Sequence, residues 1–447
     1  MIRIRWFTPL LVAPLVGGLA LAATAPAPIT TRPAVAPKLA KPPKPGALAE
    51  PAAAAQTGLP EVLLKAVTPT DVRASKEVIE LGKKLFFDSR VSADGTVSCA
   101  SCHDPDKGFT DHNPTAVGIR NQVGQRNSPS VLNALFNETQ FWDGRAATLE
   151  LQAKLPILNP IEMGQKSEKD VVAALDRLPE YHESFMRLFG RPLNYDDLAR
   201  AITAYELTQV ALDSPFDHFL LGEEKAIDPA AKRGWTLFNG KGRCMSCHGV
   251  NLTQPLGTDN KFHNIGVAAH KQNFVALARE ALATVSRGTA EEIDRLALET
   301  RFSELGRFLV TKQQKDVGAF KTPGLRNVLV THPYFHDGSS ATLWDVMDHY
   351  NKGGVQNAFL DGGITRLGLS ENEIDDLVMF MASLTSSRYK DLGQKELARQ
   401  RQLSRTRRPD RDNTAALGKS PGLTGPLGDV APNPTTIAKD PARIGGR

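Results

Sequence analysis

Cysteine is scarce in this chain, which has four cysteines among 447 residues. All four lie in two motifs, Cys99-Ala-Ser-Cys102-His103 and Cys244-Met-Ser-Cys247-His248, so none is left for a structural disulfide elsewhere. Alternating strand patterns are few as well. The length and the 41% apolar composition allow more than one core, and we expect two globular units.

Each Cys-x-x-Cys-His motif has the spacing of a covalent haem site. The two thiols bond to the haem, and the adjacent imidazole becomes a ligand of the iron. Zinc ribbons place their cysteine pairs about 15–20 residues apart, whereas 142 residues separate Cys102 from Cys244. A redox dithiol would leave the histidines unexplained. We therefore predict two covalently bound haems c, with His103 and His248 as iron ligands.

The N-terminal region resembles an export signal followed by a linker. Residues 1–23 contain Arg3 and Arg5, then an uncharged apolar stretch that ends in small residues. We predict a cleaved signal peptide, a periplasmic protein and no membrane span after cleavage; an uncleaved anchor is the alternative. Residues 24–58 are rich in proline and alanine, which is typical of an extended linker.

The rest of the chain differs in charge between its core and its end. Residues 59–386 carry a net charge of about −7, whereas residues 387–447 carry +7 and are predicted to be a basic, disordered tail. An exported protein gives no reason to expect nucleic acid as a partner. We divide the core into a first cytochrome c domain, 59–213, and a second, 214–386, with a helical insertion at about 273–305. One face of this insertion is expected to be apolar and to consist of Phe274, Leu277, Ala278, Leu282 and Val285.

A short pattern occurs twice, each time ahead of a haem motif, as Gly82-Lys-Lys-Leu-Phe86 and Gly234-Trp-Thr-Leu-Phe238. Such repetition indicates an internal duplication. Apolar residues recur at helical spacing in 171–178, 198–212 and 374–384. The fold is therefore predicted to be mainly α, with two tandem cytochrome c-type haem domains and long irregular loops.

Further motifs carry a resemblance to a known family. They are Phe109-Thr-Asp, Arg126-Asn-Ser-Pro-Ser-Val-Leu-Asn, Phe141-Trp-Asp-Gly-Arg-Ala, Lys321-Thr-Pro-Gly-Leu-Arg-Asn-Val and Pro333-Tyr-Phe-His-Asp-Gly. In these motifs the chain resembles the bacterial di-haem cytochrome c peroxidases, including the MauG group, from about Leu63 to Leu384. Only the insertion is unaccounted for.

The resemblance implies roles for particular residues. Trp142 corresponds to the tryptophan between the two haems, and Gln152 and Glu162 correspond to distal residues above the first haem. A carboxylate there can move a proton between the oxygens of hydrogen peroxide. Asn127, Thr331 and Pro333 match positions whose carbonyl oxygens bind calcium in relatives, and hard oxygen ligands suit that ion.

One departure from the family concerns the first haem. Many members block it with a histidine that follows a glycine, sixteen residues after the proximal histidine. The residue here is Ile119, so we expect the first haem to be open to peroxide. His112 is the nearest substitute, and we interpret it as a surface histidine rather than a ligand.

A second departure concerns the far ligand of the second haem, which is a methionine in many members. Tyr350 occupies this position, as tyrosine does in the MauG group, and Met347 lies one helical turn earlier. Phenolate stabilises oxidised iron, whereas a thioether raises the reduction potential. We favour Tyr350 as the ligand and keep Met347 as the alternative.

The resemblance implies a periplasmic enzyme that reduces hydrogen peroxide with electrons from a small donor protein, a cytochrome c or a cupredoxin. A MauG-like enzyme that oxidises side chains of a partner protein is the first alternative. The surface tryptophan that serves that reaction is replaced by Gly242, and Trp235 is the nearest other tryptophan. A plain electron-transfer cytochrome is the second alternative.

Overall fold

The computed structural model describes residues 74–251, 254–271, 273–284 and 288–407. The expected signal peptide and linker lie outside this part of the chain. Among the described residues, no helix combines the length and the apolar character that crossing a membrane requires. The boundary between the two expected haem domains, at residue 213, stays a prediction.

Helices and irregular loops make up the described fold, and the mainly α prediction is confirmed. The α-helices of the described residues are α1 Lys76–Phe87, α2 Cys99–Cys102, α3 Leu149–Leu158, α4 Glu168–Asp176, α5 Pro179–Phe189, α6 Tyr195–Glu206, α7 Pro215–Leu220, α8 Pro229–Asn239, α9 Phe274–Thr284, α10 Ala290–Glu299, α11 Phe308–Thr311, α12 Leu343–Lys352, α13 Glu371–Ser383 and α14 Lys390–Arg407. Two short strands, β1 Phe262–His263 and β2 Phe320–Lys321, pair antiparallel.

In both copies of the duplicated pattern, the glycine lies where its helix crosses a partner helix closely. On α1, a Cβ added to Gly82 would overlap the carbonyl oxygen of Ala201 on α6. On α8, a Cβ added to Gly234 would overlap the carbonyl oxygen of Asp376 on α13. Because glycine has no side chain, each helix that precedes a haem motif can lie directly against the backbone of its partner helix.

Replacing Gly234 with alanine is expected to destabilise the fold by about 1–3 kcal/mol, because the two helix backbones must separate to admit a methyl group. Chemical denaturation of the haem-loaded protein measures the change. Gly362→Ala is the matched control, since a Cβ there would meet nothing within 4 Å. Equal stabilities for the two variants would contradict the close-crossing interpretation.

Helix α6 ends earlier than the apolar spacing of 198–212 predicted. Beyond Glu206 the chain leaves the helix and is held by Asn133, whose Oδ1 accepts from the Ala211 amide at 2.9 Å and whose Nδ2 donates to the Ala211 carbonyl oxygen at 3.2 Å. Asn327 also donates to that carbonyl oxygen, at 3.0 Å. These side-chain bonds compete with further helix formation.

The predicted helical insertion consists of α9, α10 and a short 3-10 turn, Arg301–Leu305. Its apolar residues join a core cluster with α11 and β2, against which Trp142 packs. Phe274 and Leu277 face this core as expected, whereas Leu282 is 49% exposed and Ala281 is buried in its place. The expected contribution of Leu282 is therefore wrong, and Val285 lies outside the described residues.

The predicted disorder of the tail is wrong for residues 387–407, which form a 3-10 turn and helix α14. Gln400 and Ser404 are fully buried. Gln400 donates to the carbonyl oxygen of Leu329 at 3.0 Å and accepts from the Leu343 amide at 3.0 Å. The helix is thus attached through buried polar side chains, which leave no apolar stripe in the sequence. Residues 408–447 lie outside the described part.

Candidate haem sites and the cavity between them

Both haem motifs line one cavity of about 600 Å³. In each motif the histidine amide donates to the carbonyl oxygen of the first cysteine, His103 to Cys99 and His248 to Cys244, both at 2.9 Å. This helical turn holds the two thiols and the imidazole of a motif close together. The sequence therefore presents each predicted set of haem-binding side chains from one short segment.

The two histidines have the chemistry of iron ligands. His103 Nδ1 lies 3.3 Å from the Phe109 carbonyl oxygen, and His248 Nδ1 lies 2.7 Å from that of Gly257. A ring nitrogen that donates to a backbone carbonyl orients the imidazole and leaves Nε2 for a metal. Burial lowers the pKa of both histidines, which favours the neutral form that binds a metal.

The cysteines do not have the chemistry of a redox dithiol. Burial raises the pKa of the Cys102 and Cys244 thiols to about 12. A reactive dithiol needs the opposite shift, because the thiolate is the nucleophile. Half-buried thiols that line a large cavity fit covalent attachment to a haem instead.

Glu162 places a buried carboxyl group in the wall of this cavity. It follows α3 in a turn held by Asn159, whose Oδ1 accepts from the Ile161 amide at 2.9 Å and from the Glu162 amide at 3.4 Å. Glu162 Oε2 is buried without a hydrogen-bond partner. Gln152, on α3, lines the same cavity. An orphaned buried oxygen that faces a cavity fits a ligand that would occupy that space.

Burial is the largest cause of the raised pKa of Glu162, which reaches about 8. Asp294 adds to the increase, and Arg145 opposes it. A carboxyl group with a pKa near neutrality can both take up and release a proton at physiological pH, which is the property that general acid–base catalysis needs.

Lys321 is a buried cation in the same cavity. Burial lowers its pKa to about 8 and is the only cause of the shift. The carboxylates of a haem would supply the missing counter-charge. Both Lys321 and Glu162 therefore fit a bound haem.

Trp142 lies in the wall that both motifs share. Its Nε1 donates to the Asn127 carbonyl oxygen at 2.9 Å, and its own carbonyl oxygen accepts from the Lys321 amide at 2.7 Å. The ring packs partly against the core cluster of the insertion. An aromatic ring fixed in this way can lie against both haem sites.

Comparison with known proteins identifies the family. A family model described as di-haem cytochrome c peroxidase matches residues 76–225. Cytochrome c551 peroxidase of Pseudomonas aeruginosa is 38% identical over 317 residues, which are 70% of this chain and 79% of that protein. The methylamine utilization protein MauG of Methylorubrum extorquens is 37% identical over 310 residues, 69% of this chain and 78% of MauG.

The chain belongs to the di-haem cytochrome c peroxidase family.

The resemblance found in the motifs is thus confirmed, and the protein is an oxidoreductase of a di-haem type. A solved structure of a MauG-like protein associated with microbial copper homeostasis agrees in fold. Its TM-score is 0.60 at 30% identity, with 72% of this chain and 92% of that one covered.

Tyr350 and Met347 both line the cavity on the side of the second haem motif. They project from α12, which is capped by Thr342 through a bond from the Asp345 amide at 3.1 Å. Burial raises the pKa of Tyr350, and the neighbouring thiols of Cys244 and Cys247 raise it further. Its phenolate form therefore requires a nearby positive charge such as that of iron.

Ile119 stands at the family position of the blocking histidine, and His112 is the nearest substitute for it. Ile119 is buried, and its amide donates to the Glu162 carbonyl oxygen at 2.9 Å. His112 does not line the cavity; its Nε2 lies 3.0 Å from the Val330 carbonyl oxygen, and its ring stacks on His332 at 4.0 Å. His112 is thus held away from the cavity.

Asn127, Thr331 and Pro333, the three expected calcium positions, also line the cavity. The Asn127 carbonyl oxygen already accepts from Trp142, but a carbonyl has a second lone pair for an ion. Whether these residues bind calcium stays a prediction.

Sequence reasoning missed several polar side chains that line the cavity, namely Arg145, Lys321, Glu206 and His263, and it missed Asp294, which bonds to Arg145 from outside the cavity wall. His263 lies between two carboxylates, with Nδ1 2.7 Å from Asp361 and Nε2 3.1 Å from Asp259. Arg145 and Lys321 stand within motifs shared with the family, so their position in a motif was an available signal. Asp294 lies in the insertion and offered none.

Proposed function

We propose that this protein works in the periplasm and reduces hydrogen peroxide at the haem attached to Cys99, Cys102 and His103. Two electrons and two protons convert one peroxide into two waters. The observation that carries this proposal is Glu162, a buried carboxyl group in the wall of the haem cavity without a hydrogen-bond partner for Oε2. Bound haem supplies the iron that coordinates peroxide and exchanges single electrons.

Glu162 and Gln152 act on the protons of the substrate. The ionised Glu162 carboxylate takes a proton from one peroxide oxygen and returns it to the other, which leaves as water. Gln152 donates a hydrogen bond from its side-chain amide and orients the substrate. Ile119 cannot ligate iron, which supports an open first site.

The rate constant for the reaction with peroxide is expected to rise with pH, with its midpoint near 8. This is the pKa of Glu162, which is raised by burial and, to a smaller extent, by Asp294. Only the ionised carboxylate can accept a proton, so the rate should fall about tenfold for each pH unit below the midpoint. Stopped-flow mixing across about pH 5–10 tests this. A rate that is flat or that falls as the pH rises would contradict the role of Glu162.

Trp142, which lines the cavity shared by the two motifs, is proposed to relay oxidising equivalents from the first site to the second. The second site, with His248 and Tyr350 as proposed ligands, then serves as the entry point for electrons. With both axial positions filled by His248 and Tyr350, this site would suit an electron reservoir, whereas a first site without a distal ligand would suit the substrate. The two motifs, alike in sequence, would therefore have different tasks.

The electron donor is proposed to be a small soluble protein, a cytochrome c or a cupredoxin. Oxidation of a protein substrate is the second candidate, favoured by Tyr350 and by the similarity to MauG. Gly242 argues against electron transfer through a surface tryptophan, the route expected from the resemblance to MauG. The position carries no tryptophan, and a Cβ there would lie 2.9 Å from the Leu237 carbonyl oxygen. Trp235 is packed among Phe216, Phe238 and Phe380 and does not line the cavity.

Two measurements together separate these functions. Electron paramagnetic resonance of the resting ferric protein should show one high-spin and one low-spin haem, and reduced cytochrome c and reduced cupredoxin should then be tested as donors with peroxide. Rapid multiple turnover supports peroxidase activity and would overturn the protein-oxidising alternative. Two low-spin haems that do not react with peroxide would instead indicate an electron-transfer cytochrome.

Calcium is proposed to bind the carbonyl oxygens of Asn127, Thr331 and Pro333. All three residues line the cavity, and the Asn127 carbonyl oxygen also accepts from Trp142, so an ion bound there would stabilise the wall that the two haem sites share. Removal of calcium with a chelator should then slow electron exchange between the haems, and restoring calcium should reverse the loss. Unchanged exchange with no calcium in the purified protein would reject this site.

A further inference from the structure

Helix α10 of the insertion brings a buried carboxylate to the outer side of the Glu162 pocket. Asp294 is 3% exposed. Its Oδ1 accepts from Arg145 Nε at 2.9 Å and from Arg145 Nη2 at 2.7 Å, and its Oδ2 accepts from Asn159 Nδ2 at 2.5 Å. This segment is the part of the chain that the family resemblance left unexplained.

Asp294 completes a buried chain of alternating charges. Arg126 Nη1 donates to Asp143 at 2.9 Å, Arg145 Nη1 donates to Asp143 at 3.0 Å, and Arg145 then bonds to Asp294. Two arginines and two aspartates balance each other. Without Asp294, the Nε and Nη2 of Arg145 would lose their acceptor, and the cluster beside Glu162 would carry a net positive charge.

Asp294 also acts on the backbone that holds Glu162. Asn159 donates from Nδ2 to Asp294 and accepts through Oδ1 from the Ile161 and Glu162 amides. A side-chain amide that is fixed at one end presents its other end in a defined direction. Asp294 therefore reaches Glu162 by two routes, through the charge of Arg145 and through the orientation of Asn159.

We propose that Asp294 is a positioning residue of the distal pocket, which binds Arg145 and Asn159 and thereby keeps Glu162 in its neutral form at neutral pH. The charged and titratable groups that face Glu162 are Arg145 from the Phe141–Ala146 loop and Asp294 from α10, since the thiol of nearby Cys102 is consumed by its bond to haem. The inference rests on the proposed role of Glu162 only where it concerns the reaction rate.

Infrared difference spectroscopy of the resting ferric holoprotein tests the proposal without any peroxide. The carbonyl band of protonated Glu162 is assigned by its absence in Glu162→Gln and is then followed against pH in the wild type, Asp294→Asn and Glu291→Gln. Glu291 lies exposed on the same helix, so its variant removes an equal charge from the surface. We expect the Glu162 midpoint to fall by at least about one pH unit in Asp294→Asn and to stay in Glu291→Gln.

The same change should make the reaction with peroxide about tenfold faster at pH 6 in Asp294→Asn, because more Glu162 is ionised there. A residue that only stabilised the fold would not raise a rate when replaced. An unmoved or raised midpoint would overturn the proposal, and so would a wild-type Glu162 that is already ionised at pH 7, even if the variant failed to fold. A shifted midpoint with a rate insensitive to Glu162→Gln would instead overturn the proposed function alone.

Discussion

Replacing Glu162 with glutamine is expected to slow the reaction with peroxide at pH 9 by about 10²–10⁴-fold, the usual contribution of a general acid–base group. Glutamine has nearly the same shape and can fill the same pocket, but it cannot take up a proton. Measurement above the pKa of about 8 matters, since the wild-type carboxylate is mostly ionised there. The pH dependence should disappear together with the rate.

The matched control for this prediction is Glu206→Gln. Glu206 lines the same cavity, is 5% exposed and has a pKa that burial, and then Glu150, raises to about 8. It lies at the end of α6 near Cys99 rather than in the Glu162 turn. The wild-type rate in Glu206→Gln and a large loss in Glu162→Gln would assign proton transfer to Glu162. A comparable loss in both would point to a general effect of buried charge in the cavity.

Local patterns explain how much of this site could be predicted. The sequence presents the haem-binding side chains within five-residue motifs, so their proximity follows from chain geometry alone. The repeated Gly82 and Gly234 patterns indicated a duplication, and the structure adds the physical reason, two close helix crossings. The mainly α fold followed from apolar spacing, although the end of α6 depended on Asn133, whose contact with Ala211 is distant in sequence.

Features held together by distant polar contacts could not be predicted. Arg145 and Asp294 lie 149 positions apart, and nothing near either residue indicates the other. Helix α14 is attached through a buried glutamine and a buried serine rather than through apolar residues. Its polar composition therefore resembled that of a disordered tail. Apolar periodicity reports burial of apolar side chains only, and both errors arose where buried polar groups stabilise the structure.

Replacing Tyr350 with phenylalanine is expected to raise the reduction potential of the second haem by on the order of 0.1 V, because axial ligands set haem potentials over a wide range. A phenolate favours the oxidised iron, and phenylalanine removes it while keeping the ring. The low-spin signal of this haem should be replaced by a high-spin one. Spectroelectrochemical titration and electron paramagnetic resonance measure the two changes.

Met347→Leu is the control that makes this result decisive. Met347 is buried one helical turn before Tyr350 and lines the same cavity, and leucine conserves most of its volume. If Tyr350 is the ligand, Met347→Leu keeps the low-spin signal and the potential. If the signal changes in Met347→Leu and persists in Tyr350→Phe, methionine is the ligand. Since a thioether ligand raises the potential, that outcome would favour an ordinary electron-accepting haem and remove the main support for oxidation of a protein substrate.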